Sequence, residues 1–336
     1  MSVGIDIGSK TIKIVELEKE GKGFRLVASG AVGYQGVVPS QAKDDKELAA
    51  LSDVVRKLHK EAHIRGKEVA VALPEPLVFT RTIKFPPLTD QEIESAVKWE
   101  AEQYIPIPSS EAIIEHQIVE RSEAAQGGVT VLLVASPKAL VEKYIKLIQG
   151  AGLTTVGVET EALALCRALA PATGTVLILD FGAQSSNIGI VKDAMVRFSR
   201  SIPTAGEAFT RALSQSLGIE YQQAEAYKKT YGLSEDLEGK VKASLAPVFN
   251  LVADEIKKAT HFYQTEEKGE APKSVIVSGG TSSMPEAIST LTNLVGIEVV
   301  VGNPFAKVSV DAQASKNLAN YSSLYSVAVG LALRGD

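Results

Sequence analysis

Hydrophobic positions along the chain fall into two rhythms. Short runs rich in Val and Ile, such as Val3, Ile5, Ile7, Ile12, Ile14 and Val15, or Leu177, Ile178, Leu179, Ile188, Ile190 and Val191, predict strands. Elsewhere apolar residues return every three or four positions, and that spacing predicts helices. Examples are Ala162, Leu163, Leu165, Cys166 and Leu169; Ala212, Leu213 and Leu217; and Leu245, Val248, Leu251, Val252, Ile256 and Ala259.

Two of the strand pairs share one plan. Each run ends in Asp-x-Gly (Asp6-Ile7-Gly8 and Asp180-Phe181-Gly182), passes a short polar turn and enters a second β-rich run. Both read as hairpins. Asp6 and Asp180 stand about half the chain apart, so a duplicated α/β domain is the simplest account. A third unit, 274–285, reads as a strand, a Gly279-Gly280-Thr281 turn and a helix with Pro285 at its start.

Two segments depart from the duplicated plan. Between 77 and 159 the pattern predicts strand 77–85, helix 89–104, strands 111–121 and 129–135, helix 137–151 and strand 154–159, an inserted α+β subdomain. Between 206 and 271 the pattern is helical. The expected organisation is subdomain 1A from 1–76 and 160–175, with a C-terminal hinge helix at 323–336. Subdomain 1C follows from 77–159, 2A from 176–205 and 272–322, and helical 2B from 206–271.

Length and composition agree with two lobes. The chain has 336 residues, more than one hydrophobic core usually supports, and it is 45% hydrophobic and 22% charged. A net charge of −5 argues against a nucleic-acid partner. Cys166, the single cysteine, reads as a small core residue in a reducing compartment. The opening MSVGIDIG lacks the pattern of a signal peptide, and no apolar run approaches the ~20 residues of a membrane span. A cytoplasmic protein is expected.

The hairpins suit a polyphosphate. Glycine has no side chain to keep backbone N–H groups from phosphate oxygens, and it tolerates positive φ. Gly8, Ser9, Lys10 and Thr11 in the first turn, and Gly182, Ala183, Gln184, Ser185 and Ser186 in the second, form the candidate cradle, with Lys10 the cation that neutralises a phosphate. Asp6 and Asp180 are the candidate carboxylates for Mg²⁺, which keeps several waters and needs few protein ligands. Gly279, Gly280 and Thr281 would face the α-phosphate or adenine, while Glu225 and Lys228, three apart on a helix, would reach a ribose. Gly206 and Met284 complete the expected nucleotide-binding set.

Taken in order, these three glycine units resemble the two phosphate motifs and the adenosine motif of the actin, heat-shock chaperone and sugar-kinase superfamily. That resemblance implies a duplicated, ribonuclease H-like ATPase fold binding ATP and Mg²⁺. It also extends to paired hinge helices around Ala164 and around Ala328 and Gly330, where small residues permit close packing. Within the superfamily, Phe85-Pro86-Pro87-Leu88-Thr89-Asp90 and the tail Glu100-Ala101-Glu102-Gln103-Tyr104-Ile105-Pro106-Ile107-Pro108 resemble the PilM family of actin-like type IV pilus assembly proteins, relatives of FtsA with its inserted subdomain.

The PilM resemblance implies a protein on the cytoplasmic side of the inner-membrane platform, joined to the membrane only through partners. Its partners would be the N-terminal segment of PilN, held in a groove near the inserted subdomain, and other platform proteins. Ending at Asp336 without a basic amphipathic tail favours PilM over FtsA. Glu159 and Glu161, at the entry to the first hinge helix, are where the superfamily places a water-orienting residue, next to Thr160 as a helix cap. Slow ATP turnover, or none without partners, is the expectation. A filament-former like FtsA or MreB and a metabolic kinase of the same fold are the alternatives.

Overall fold

Alternation and helical spacing sort the chain into two lobes in a computed structural model, which describes residues 1–122 and 127–335. In the first lobe, β1 (Ser2–Ile7) and β2 (Thr11–Glu20) form the first hairpin, followed by β3 (Gly23–Gly33), α1 (Asp45–Glu61) and β4 (Glu68–Leu73). Asp44 caps α1 by accepting from the Lys46 and Glu47 N–H groups.

The chain then leaves the lobe for β5 (Phe79–Phe85), α2 (Asp90–Tyr104), β6 (Ala112–Arg121) and β7 (Val129–Pro137). Helix α2 starts at a capping box: Thr89 accepts from the Glu92 N–H while Glu92 accepts from that of Thr89. Its buried residues Ile93, Val97 and Ala101 cover one face of an antiparallel sheet of order β5-β7-β6.

This insertion is shorter than expected. Helix α3 (Lys138–Gly150) and β8 (Thr154–Thr160), assigned by pattern to the subdomain spanning 77–159, belong to the first lobe. Strand β8 pairs in parallel with β4, and α3 buries Leu140, Tyr144, Leu147 and Ile148 in the same core as Val3, Ile5 and Val71. Residues 123–126 of the expected subdomain, and Asp336 of the expected hinge helix, lie outside the described residues.

After α4 (Glu161–Leu169) comes the second lobe, with β9 (Thr175–Phe181), β10 (Ser186–Lys192), β11 (Met195–Ile202), α5 (Gly206–Leu217), α6 (Tyr221–Tyr231), α7 (Lys240–Thr265), β12 (Ser274–Ser278), α8 (Ala287–Val295) and β13 (Glu298–Val301). Its sheet runs β11-β10-β9-β12-β13. Phe181, Phe209 and Phe249 stack at its centre with ring centroids 5.7 to 6.0 Å apart. Leu251, read as part of the apolar face of α7, instead points to solvent, because Val252 and Ile256 take the buried stripe.

Two further sequence expectations change. Pro285 does not open a helix: a 3₁₀ turn at Gly280–Ser283 intervenes, Glu286 is the N-cap and α8 begins at Ala287. The second lobe also ends before 322. Strand β14 (Val308–Ser309) adds to β3, and α9 (Ala312–Leu318) buries Leu318 against Val15 and Leu17, so the chain has already crossed back to the first lobe. The first sheet is therefore β14-β3-β2-β1-β4-β8.

Helix α10 (Ser326–Ala332) lies against α4 between the two sheets. A Cβ on Gly330 would stand 1.9 Å from the Ala164 carbonyl oxygen, and one on Gly4 of β1 would stand 2.1 Å from that of Ala328. Only glycine admits main chain this close. Cys166 is buried in α4, where burial raises its thiol pKa to about 11.

Candidate functional site

Cleft geometry follows from hairpin register. In the first hairpin Asp6 stands directly opposite Lys13, and in the second Asp180 stands opposite Asn187. Both turns close alike, with Gly8 N–H to Thr11 O at 3.1 Å and Gly182 N–H to Ser185 O at 3.2 Å. Neither glycine has positive φ. Space requires glycine at 182, where a Cβ would stand 2.8 Å from Ser185 O, whereas at Gly8 a Cβ would meet Lys13 Nζ and Thr11 O at 3.2 Å, a tight fit that small shifts relieve. Positive φ belongs to Gly279 (φ 85°), whose added Cβ would meet the Phe181 carbonyl oxygen at 2.6 Å.

The hairpins and the β12 turn open on one cleft of about 1130 Å³. Asp6, Gly8, Ser9, Lys10, Thr11, Glu161, Asp180, Gly182, Ala183, Gln184, Ser185, Gly206, Glu225, Lys228, Gly279, Gly280, Thr281 and Met284 all line it. Two expected residues do not. Ser186 is fully buried and donates to the Thr204 carbonyl at 2.6 Å. Glu159 is turned away from the cleft in a two-pronged ion pair with Arg167, at 2.7 and 2.8 Å, which leaves it no access to a cleft water.

Charge on the floor is concentrated. Lys13 Nζ donates to Asp6 at 2.8 Å, and Ser278 Oγ to Asp180 at 2.9 Å. Glu161 accepts from Asn187 Nδ2 at 2.8 Å and from the Glu75 N–H at 3.1 Å. Burial, then the charges of Asp180 and Asp6, hold the Glu161 pKa well above the usual carboxylate range. Burial likewise raises Asp180 against the opposing Ser278 bond. Tyr34 donates to the Gly8 carbonyl at 2.9 Å while its N–H bonds Lys10 O, and burial followed by the Asp6 charge lifts its hydroxyl to about 12.

Near the mouth, Lys10 is half exposed and pairs with Glu207 at 2.9 Å; the Glu207 hydrogen bond raises its pKa. Lys228 is buried, donating to Gly206 O, Thr210 Oγ1 and Glu225, and burial lowers its pKa. Burial would raise Glu225, but the bonds from Lys228 and Thr210 prevail and bring it to about 2.

These donors fit a nucleotide. The peptide N–H groups of Ser9, Lys10, Ala183 and Gln184 have no hydrogen-bond partner among the described residues. They sit at the two turns where phosphate oxygens would accept. Asp6 and Asp180 stand on one cleft floor, where the two carboxylates would hold a hydrated cation through its waters, as Mg²⁺ permits.

Lys13 and Asn187 escaped notice in the sequence. Their signal was there, since pairing across a hairpin of known turn places Lys13 on Asp6 and Asn187 on Asp180. Glu75, fully buried at the root of the insertion, carried no comparable signal.

Residues 4–336 match the family model described as Type IV pilus assembly protein PilM. The chain belongs to that family. A "PilM-PilN type IV pilus biogenesis complex" is similar at 28% identity and TM-score 0.86, covering 99% of this chain and 98% of that one. Cell division protein FtsA of Enterococcus hirae is 24% identical over 388 residues, covering 98% of this chain and 86% of that protein. MreB5 of Spiroplasma citri bound to AMPPNP shares the fold at TM-score 0.54 and 14% identity, covering 98% and 93%. The PilM-family chain thus has the duplicated actin-like fold with an FtsA-type insertion that its motifs predict. Among the described residues no helix is long and apolar enough to cross a membrane.

Proposed function

We propose that this PilM-family chain is the cytoplasmic, ATP-binding component of a type IV pilus assembly platform. It grips the N-terminal segment of PilN in a groove near the inserted subdomain, meets other platform proteins there, and reaches the inner membrane only through them. The observation that carries the reading is convergence: Asp6, Asp180 and Gly280, far apart in sequence, line one cleft.

In this reading the two turns hold the phosphates through backbone N–H groups, with Lys10 exchanging Glu207 for a phosphate oxygen. Gly279 and Gly280 let main chain approach the nucleoside, and Glu225 and Lys228 face the ribose. Mg²⁺ held through water by Asp6 and Asp180 would supply charge neutralisation. Glu161, on the cleft floor, is the residue suited to orient water. Its carboxylate is already engaged by Asn187 Nδ2 and the Glu75 N–H, which supports slow turnover at most.

Calorimetric titration of the full chain with ATP and Mg²⁺, and separately with a PilN N-terminal peptide, tests the two halves of this proposal. Saturable binding of each is expected. A chain that takes up neither has another function.

A further inference from the structure

Strand β11 carries Ser199 and Ser201 on one face of the sheet, opposite Gly189 and Asn187 of β10, and Arg197 at the β-bulge where the pairing shifts register. Each reaches a different part of the molecule. Ser201 Oγ donates to Asn187 Oδ1 at 2.7 Å, which turns the Asn187 amide so that Nδ2 faces Glu161 in the cleft. Ser199 Oγ donates to Glu75 Oε1. Arg197 pairs with Glu120 of β6 at 2.8 Å, and its carbonyl accepts from Thr82 of β5.

Glu75 ties these contacts together. Its other carboxylate oxygen accepts from the Ala162 N–H at 3.2 Å, while its own N–H donates to Glu161 at 3.1 Å. The root of the insertion and the start of α4 are thus clamped reciprocally, and the clamp is fastened to the second lobe by Ser199. β11 is also an edge strand of its sheet, and the inserted subdomain covers it.

We propose that β11 is the strand through which the cleft and the inserted subdomain sense each other, with Ser199 and Glu75 as the positioning pair. Movement of the second lobe relative to α4 cannot leave all of these contacts intact, because Ser199 ends on Glu75 at the root of the insertion and Arg197 on the insertion itself, while Ser201 holds the cleft residue Asn187 within the second lobe. A ligand that favours one lobe arrangement therefore alters the seating of the insertion, and the effect is reciprocal. The inference rests on the proposed function, and names the residues that would link its two ligands.

The test titrates the full chain with ATP and Mg²⁺, with and without saturating PilN N-terminal peptide. In the unmodified protein the peptide should change the ATP dissociation constant by roughly fivefold or more. In Ser199→Ala that factor should fall below about twofold, with each ligand alone still binding within about threefold of normal. Lys84→Ala removes a contact between the insertion and Glu267 that bypasses β11, and should leave the factor unchanged. Retention of the factor in Ser199→Ala, its loss in Lys84→Ala, or independent binding of both ligands in the unmodified chain overturns the proposal.

Hydrogen exchange separates this outcome from failure of the proposed function itself. Even should neither ligand bind, Ser199→Ala should speed exchange at the Glu75 and Ala162 amides, which the clamp protects. Faster exchange confined to β11 overturns the inference without reference to any ligand.

Discussion

The two hairpins are built to one plan and do different electrostatic work. In the first, the residue facing the aspartate is a lysine, and Lys13 neutralises Asp6 within its own strand pair. In the second, the corresponding residue is Asn187, which leaves Asp180 with only a neutral donor, Ser278, and turns across the cleft to Glu161. Duplication preserved the backbone and allowed the charges to diverge. One half of the floor is an ion pair; the other is an acid whose one side-chain hydrogen bond among the described residues comes from a neutral hydroxyl.

Breaking each aspartate should therefore have unequal consequences, and this is the largest expected effect. Asp6→Ala leaves the Lys13 ammonium buried without a partner and should cost about 3–5 kcal/mol of stability. Asp180→Ala removes one of several mutually repelling buried acids and gives up one hydrogen bond, for a net change within about 1 kcal/mol. Urea denaturation of the two variants decides the matter, and equal losses would mean that the hairpins are electrostatically alike.

A second test sharpens the comparison through pH. Glu161 has a folded-state pKa raised above its unfolded value, so the folded chain binds its proton more tightly. Its destabilising contribution is absent in acid and grows as pH rises from about 4.5 through the folded pKa. Glu161→Gln keeps the acceptor for Asn187 and Glu75 N–H without the charge. It should gain about 1 kcal/mol over the unmodified chain at pH 7.5, with the gain shrinking toward pH 5. A pH-independent difference would place the effect in packing rather than charge.

Smallest in stability is Lys10→Ala. Its ion pair with Glu207 is about half exposed, so unfolding should shift by less than about 0.5 kcal/mol. ATP affinity should nonetheless fall about tenfold, since a charge-assisted hydrogen bond to phosphate is lost. Unchanged affinity in calorimetry would remove Lys10 from the phosphate cradle.

Much of this architecture was legible in sequence because it rests on local rules. Asp-x-Gly between β-rich runs marks a hairpin, and the helices of 206–265 and α2 follow from apolar spacing. What escaped depends on distance in space. Nothing local distinguishes β8 as a partner of β4 from a strand of the insertion, because parallel pairing is decided by a crossover and not by the residues within the strand. The two-residue β14 is below the length at which alternation carries information. Within the candidate site, Glu159 and Glu161 look interchangeable in sequence. Arg167, on the next turns of α4, engages the first and leaves the second facing the cleft.

Bare main chain at the crossing of α4 and α10 restricts how the lobes can travel. With Gly330 resting against the Ala164 carbonyl, there is no side chain to ride over and no room to advance by one residue, so sliding is blocked and pivoting is left.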